Sequence, residues 1–420
     1  MKTKAVRLYG KDDIRLEEFE LPARKDDEIL ARVVCDSLCM SSYKAATQGA
    51  AHKRVPADIA VNPIIVGHEF CGEILEVGEK WRGQFSPGQK FSIQPALNYL
   101  GGLEAPGYSF PYIGGNATHI IIPNIVMELG CLLPYEGEAF FGGALAEPLS
   151  CVIGSFHAMY HTTPGSYIHD MGIKEGGRMA ILAGAGPMGL AAIDYIINCD
   201  KRPKTLVVTD IDDGRLSRAA ALLSAEKAAK NGITLTYCNT AKHEDPTAAL
   251  LALGGGTGYD DVLVFAPVQA LLEQADKILG RDGCLNFFAG PPDPGFSASF
   301  NFYNVHYQST HLVGTSGGNT DDLVEALDMI GKGLLSPAIL ITHVGGLNCV
   351  VESTLSLPRL PGGKKLIYNE IDMPLTAIAD FEKLGEVDPF YKTLHGLTEK
   401  AGGLWSAQAE EYLLSQLAEK

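Results

Sequence analysis

The chain has 420 residues, a formal net charge of −16 and 46% hydrophobic residues. Ordinary hydrophobic and charged fractions exclude a disordered or fibrous chain, and the length suits two domains. The negative charge argues against nonspecific nucleic-acid binding, because phosphate backbones attract basic surfaces. The nine cysteines are scattered, with no CxxC pair. The N-terminus MKTKAVRLYGKDDIRLEEFELP lacks the apolar stretch of a signal peptide, and no run reaches the roughly 18 apolar residues of a membrane helix. A reduced, cytoplasmic protein with no membrane partner is expected.

In chain order, residues 29–34 and 74–77 are short β-branched runs, punctuated downstream by the turn signals Ser86-Pro87-Gly88 and Gly114-Gly115-Asn116. Helical periodicity is scarce before about residue 140, so the first third reads as a β-core with long loops. Residues 147–160 read as a helix with Pro148 in its first turn. After a polar insertion at 161–174, strands at 179–182, 205–209, 262–265 and 285–288 alternate with helices at 188–198, 215–223 and 268–279. Such alternation indicates a parallel sheet. A helix follows at 321–330, and the chain ends in a helix over 406–419.

Gly184-Ala185-Gly186-Pro187-Met188-Gly189 follows an apolar strand and opens a helix. In such a turn the first glycine permits the tight bend, the second lets a pyrophosphate approach the backbone, and the third allows close helix–strand packing. Free N–H groups at the helix start bind phosphate. Asp210 ends the next strand, about 20 residues on, where a carboxylate meets the ribose hydroxyls and repels a 2′-phosphate. NAD is the expected cofactor, with NADP left open by the nearby Arg215.

A second constellation lies in the β-rich first third and just after it: Cys39, the pair His68-Glu69, and Glu147. Thiolate, imidazole and carboxylate are a zinc ligand set, and three protein ligands with an open fourth position make a catalytic site. Spacing over a hundred residues does not by itself join them.

In these residues the chain resembles the zinc-containing medium-chain dehydrogenases, and within them the polyol (sorbitol) dehydrogenase branch. Leu38-Cys39-Met40-Ser41-Ser42, Val66-Gly67-His68-Glu69-Phe70-Cys71-Gly72 and Ala146-Glu147-Pro148-Leu149 match the three ligand segments. Residues 183–189 with Val208-Thr209-Asp210 match the cofactor fingerprint, and residues 323–330 and Gly362-Gly363-Lys364-Lys365 match the late helix and closing strand.

The resemblance implies an α/β fold: a GroES-like β-barrel catalytic domain from residues 1–155 and 316–370, an inserted Rossmann domain at 156–315 with the active site in the cleft, and a helical extension at 371–420. It implies one catalytic zinc on Cys39, His68 and Glu147, with Glu69 as alternative ligand or supporting group. Ser41 would bind the substrate oxygen and pass its proton outward, and Lys44 stands where relatives often place a relay histidine. The cofactor would be held by Gly184, Gly186, Pro187, Met188, Gly189, Asp210 and Arg215.

The departures matter too. The stretch 94–110 carries none of the four cysteines of the family's structural-zinc lobe, so no structural zinc is expected there. Ser42 replaces the usual Asp, and the Arg-Tyr pair of polyol dehydrogenases is replaced by Gly314-Thr315-Ser316-Gly317-Gly318. Lys44, His52, Lys53 and Arg54 make a basic cluster in an acidic chain, suited to a substrate phosphate.

Hydride transfer between NAD(P)H and a phosphorylated ketose or polyol is therefore expected, with L-sorbose 1-phosphate to D-glucitol 6-phosphate as the specific reaction. A free-polyol dehydrogenase is the second reading, and a noncatalytic NAD-binding regulator the third. A homo-oligomer, dimer or tetramer, is expected from the family.

Overall fold

The computed structural model describes residues 1–416. The chain divides into two compact units. One comprises Met1–Pro148, Asn319–Gly333 and the residues from Pro337 onward; the other comprises Leu149–Gly318 and Leu334–Ser336.

The first unit is mostly β. The strands Lys2–Gly10 and Asp13–Glu20 form a hairpin running from the Lys2–Glu20 pair to the Gly10–Asp13 pair, and Ile64–Ile65 adds a third strand. The polar, charge-alternating sequence of this hairpin hides it from periodicity. A larger, eight-stranded sheet is organised around Ile29–Ser37, buried at all but one position. A strand covered on both faces reads as a continuous apolar run rather than an alternation. It pairs antiparallel with Phe70–Val77, His119–Ile122 and Lys364–Tyr368. The last pairing sets Leu366 opposite Ser37, so a segment more than three hundred residues away in sequence lies beside the loop that carries Cys39. Val33, Ile74, Phe91 and Ile120 form the core beneath this sheet.

One helix departs from expectation. It spans Phe140–His157, starting seven residues before the expected 147, and Pro148 lies in its interior rather than its first turn. Proline there removes a backbone donor and usually costs about 3 kcal/mol. The buried apolar residues Phe140, Phe141, Ala144 and Leu145 draw the preceding segment into the helix. Its start is fixed from the far end of the chain. The buried Glu410 accepts from the backbone N–H of Phe140 at 2.5 Å and of Phe141 at 2.9 Å, and from the Tyr368 hydroxyl at 2.7 Å. A carboxylate is favourable at a helix N-terminus, where backbone N–H groups lack partners. Glu410 belongs to the helix Ala407–Ser415, packed through Trp405, Ala409 and Leu413 into the same core. Residues 417–419 of the expected final helix lie outside the described residues.

The second unit holds a six-stranded sheet, parallel throughout, in the order Thr234–Asn239, Thr205–Asp210, Arg178–Leu182, Tyr259–Val264, Leu279–Phe287, His311–Gly314. The order reverses at the central strand Arg178–Leu182. That is the switch point at which doubly wound sheets bind ligands beyond the strand ends. The expected strands at 262–265 and 285–288 overlap the longer Tyr259–Val264 and Leu279–Phe287, each running one residue past the observed end. A separate two-stranded hairpin, Tyr160–Thr162 with His169–Met171, lies in the polar insertion. Among the described residues no helix is long and apolar enough to cross a membrane.

Candidate active site

Four stretches of the first unit converge around Cys39. Cys39 stands in extended backbone at the N-cap of the helix Met40–Gln48. His68 and Glu69 precede the strand Phe70–Val77, and backbone bonds from Ser37 N to Glu69 O and from Leu38 N to Lys365 O, both 3.0 Å, stitch these segments together. Gly67 has φ +96°, and a Cβ there would meet the Asn116 side chain at 2.2 Å. Only glycine makes this approach, and it sets the direction of His68.

The donor atoms of Cys39, His68 and Glu69 lie within 4.8 Å of one another. His68 is buried, with Nδ1 3.2 Å from Ser42 Oγ and Nε2 3.3 Å from the Tyr108 hydroxyl. Ser42 therefore orients the imidazole, the role left in question by its replacing an aspartate. Ser41 Oγ is 3.4 Å from Cys39 Sγ. Glu69 is held by a buried ion pair: Lys364 Nζ donates to both its carboxylate oxygens, at 2.5 and 2.6 Å. Glu147, also buried, stands outside the compact group of three but shares charge interactions with Cys39, His68, Glu69 and Lys364.

The electrostatics describe a site crowded with acids. Burial, reinforced by the charge of Glu69, pushes the Cys39 thiol above its ordinary range. Burial also lifts Glu147 to about 7, with Glu69 and Cys39 adding to the rise and His68 opposing it. Burial lowers His68, favouring the neutral ligand form. Asp36 is pushed well above the usual carboxylate range, first by burial and then by Glu69. Soft thiolate, neutral imidazole and buried carboxylates whose charges repel one another fit a divalent zinc-class cation.

The basic cluster joins this group through Tyr108. The His52 ring stacks on Tyr108 at 5.7 Å, and the Arg54 guanidinium lies 5.7 Å from the same ring. Burial, then Arg54, Lys53 and Lys44, lower His52 below its ordinary value, so all three cations are near it. The Arg54 guanidinium also donates to the Leu103 carbonyl at 3.4 Å.

In the second unit the glycine turn has the geometry its spacing implied. A Cβ on Gly189 would lie 2.1 Å from the Gly184 carbonyl oxygen, whereas one on Gly186 would meet nothing within 4 Å. The first tolerates no side chain; the second leaves open the space a phosphate needs. Gly186 is the N-cap of the helix Pro187–Asn198, with Pro187 in its first turn followed by Met188. Asp210 is buried at its strand end, and its Oδ1 accepts from the N–H groups of Ile211 and Asp212 at 2.8 and 3.1 Å. Arg215 is exposed, its N–H capped by Asp212.

Sequence reasoning missed Tyr108, which lies in a stretch noted only for lacking cysteine. It quoted Lys364 but gave it no role. Only the pairing of the late strand with Ile29–Ser37 brings Lys364 to Glu69.

The alcohol dehydrogenase GroES-like domain matches residues 25–129, and the zinc-binding dehydrogenase family matches residues 187–332. The chain belongs to the zinc-binding medium-chain dehydrogenases and is an oxidoreductase of their polyol and sugar-phosphate group. It is 52% identical to the mannitol-1-phosphate 5-dehydrogenase of Aliivibrio fischeri, over 98% of this chain and 97% of that one. It is also 52% identical to the L-sorbose 1-phosphate reductase of Klebsiella pneumoniae, over 98% and 97%. The crystal structure of the 2R,3R-butanediol dehydrogenase of Bacillus subtilis shares the fold, with a TM-score of 0.69 at 20% identity over 87% of this chain and 99% of that one.

Proposed function

We propose that this chain reduces a phosphorylated ketose to a polyol phosphate with NADH, with L-sorbose 1-phosphate to D-glucitol 6-phosphate as the preferred reaction. Residues 1–155 and 316–370 are read as the catalytic domain, 156–315 as the cofactor domain and 371–420 as an extension of the former. A zinc ion on Cys39, His68 and Glu147 would supply Lewis acidity at the substrate oxygen. Lys364 commits the Glu69 carboxylate to an ion pair, which favours Glu147 as the third ligand. Ser42 fixes the imidazole plane. Ser41 would donate its proton to the substrate oxygen as the carbonyl is reduced, and would be reprotonated from the direction of His52 and Lys44. The backbone N–H groups after Gly186 receive the cofactor pyrophosphate, and Asp210 receives the ribose hydroxyls, which selects NAD over NADP.

The single observation that carries the phosphorylated substrate is the chain of contacts from His68 to Tyr108 to His52 and Arg54. It sets cations beside the metal-ligand group, where a phosphate on the substrate would meet them. Both relatives of equal identity are named for phosphorylated sugars. Replacing Lys53 and Arg54 together by Ala is expected to raise KM for L-sorbose 1-phosphate by about ten- to a hundredfold. KM for free L-sorbose is expected to stay unchanged. Steady-state kinetics with both substrates checks this, and equal changes for the two remove the phosphate role.

A further inference from the structure

A second group of metal-ligand residues lies wholly within the second unit, where neither the glycine turn nor Asp210 uses it. His161 comes from the hairpin strand Tyr160–Thr162, Asp282 from within Leu279–Phe287, and His311 from the edge strand His311–Gly314. Their donor atoms lie within 4.8 Å of one another. His161 Nδ1 is 3.5 Å from Asp282 Oδ2, and His311 Nε2 is 3.4 Å from Asp282 Oδ1. Zinc bonds of about 2.0–2.2 Å in tetrahedral directions place ligand atoms about 3.3–3.6 Å apart.

The surroundings are built as metal sites are built. His161 Nε2 is 3.1 Å from the fully buried Asp261, whose other oxygen accepts from Lys174 N at 2.8 Å. A carboxylate on the far ring nitrogen is the usual support of a metal-bound histidine. Asp282 is likewise fixed, accepting from Thr162 N at 2.9 Å and Thr162 Oγ1 at 2.6 Å, on backbone at φ +56°. The near nitrogens face acceptors only, a setting filled either by a further ring proton or by a metal ion. With Nε2 donating to Asp261, His161 Nδ1 faces the Asp282 backbone oxygen at 3.0 Å as well as its carboxylate, all acceptors. His311 Nε2 is buried, makes no hydrogen bond and faces the same carboxylate. The His311 ring is held in place by stacking on Tyr160 at 4.4 Å.

We propose that His161 Nδ1, the Asp282 carboxylate and His311 Nε2 bind a divalent zinc-class metal ion that staples the hairpin Tyr160–Thr162/His169–Met171 to the sheet edge. The fourth position is left to water or a small anion. The site is independent of the proposed reaction and raises the metal content above the single ion expected from sequence.

The test uses the full chain, stripped by chelator, reloaded with zinc chloride alone and desalted, with metal counted per chain by mass spectrometry. The unaltered protein is expected to hold about two ions, and His311→Ala and Asp282→Asn about one. Cys39→Ser, which breaks the other site, is expected to retain the ion at His161 and His311. Loss in His311→Ala but none in Cys39→Ser would keep this site and remove the other. His311→Gln keeps the ring's bulk in part and serves if the alanine variant misfolds. A folded His311→Gln protein that takes up the full complement overturns the proposal, leaving a proton rather than a metal at His161.

Discussion

The two histidine clusters use the same side chains to opposite ends. Around His68, burial favours the neutral ring, and both ring nitrogens meet hydroxyls, Ser42 on one side and Tyr108 on the other. The cluster's buried cation is Lys364, spent on Glu69. Around His161 burial also opposes charge, but Asp261 and Asp282 outweigh it and raise the ring above its ordinary value. One imidazole is kept neutral by burial; the other stands between two carboxylates, a setting that favours positive charge at the ring, as a proton or as the proposed metal ion. A neutral buried ring can be lost with modest cost to the fold, whereas an ion-paired one leaves its partner stranded.

The sharpest way to break that comparison is a pair of substitutions. His68→Ala is expected to lower kcat by about a thousandfold or more, because the proposed zinc would lose a ligand and several kcal/mol of Lewis-acid stabilisation with it. Binding of the nicotinamide cofactor, proposed for the other unit, should persist, as measured by fluorescence titration with NADH. His161→Ala is expected to do the reverse. It strands the buried Asp261 and should cost about 3 kcal/mol in denaturant unfolding, with kcat of the folded protein unchanged. Comparable losses of stability in both variants would erase the distinction.

Lys364→Met tests whether the first cluster's charge balance depends on its lysine. It leaves Glu69 buried without its cation and should destabilise by about 3–5 kcal/mol. Adding Glu69→Gln to that variant should recover part of the loss in the same unfolding measurement.

The smallest effect concerns pH. His343, in the first unit, is lowered to about 4 by burial and by Lys365. Between pH 4 and 6.5 the unfolded chain therefore binds a proton that the folded chain refuses, so this group's contribution to stability falls as pH drops through that window. His343→Gln should flatten the acid side of the stability profile measured by thermal unfolding. An unchanged slope would show that carboxylates alone set it.

Much of the molecule was legible because its signals are local. The turn Gly184–Gly189 and Asp210 can be read from one short stretch, since backbone sterics and helix-end charge act over a few residues. The segments at Cys39, His68 and Glu147 were legible separately, as candidates for a metal site. What joins them to Lys364 was not, because strand pairing across the chain carries no local mark. The helix around Pro148 was misjudged for the same reason: Glu410, at the other end of the chain, caps its start.

Short motifs, and the family resemblance they carry, disclosed the class of chain and singled out the glycine turn and the zinc-type residues as candidates, because each depends on residue chemistry within a short window. Tertiary structure alone decided which partner each charge receives. Lys364 reaches Glu69, Ser42 and Tyr108 flank His68, and His161, Asp282 and His311 meet across more than a hundred residues. Buried charges and ring nitrogens act only through neighbours a few ångströms away, and the folded sheets choose those neighbours.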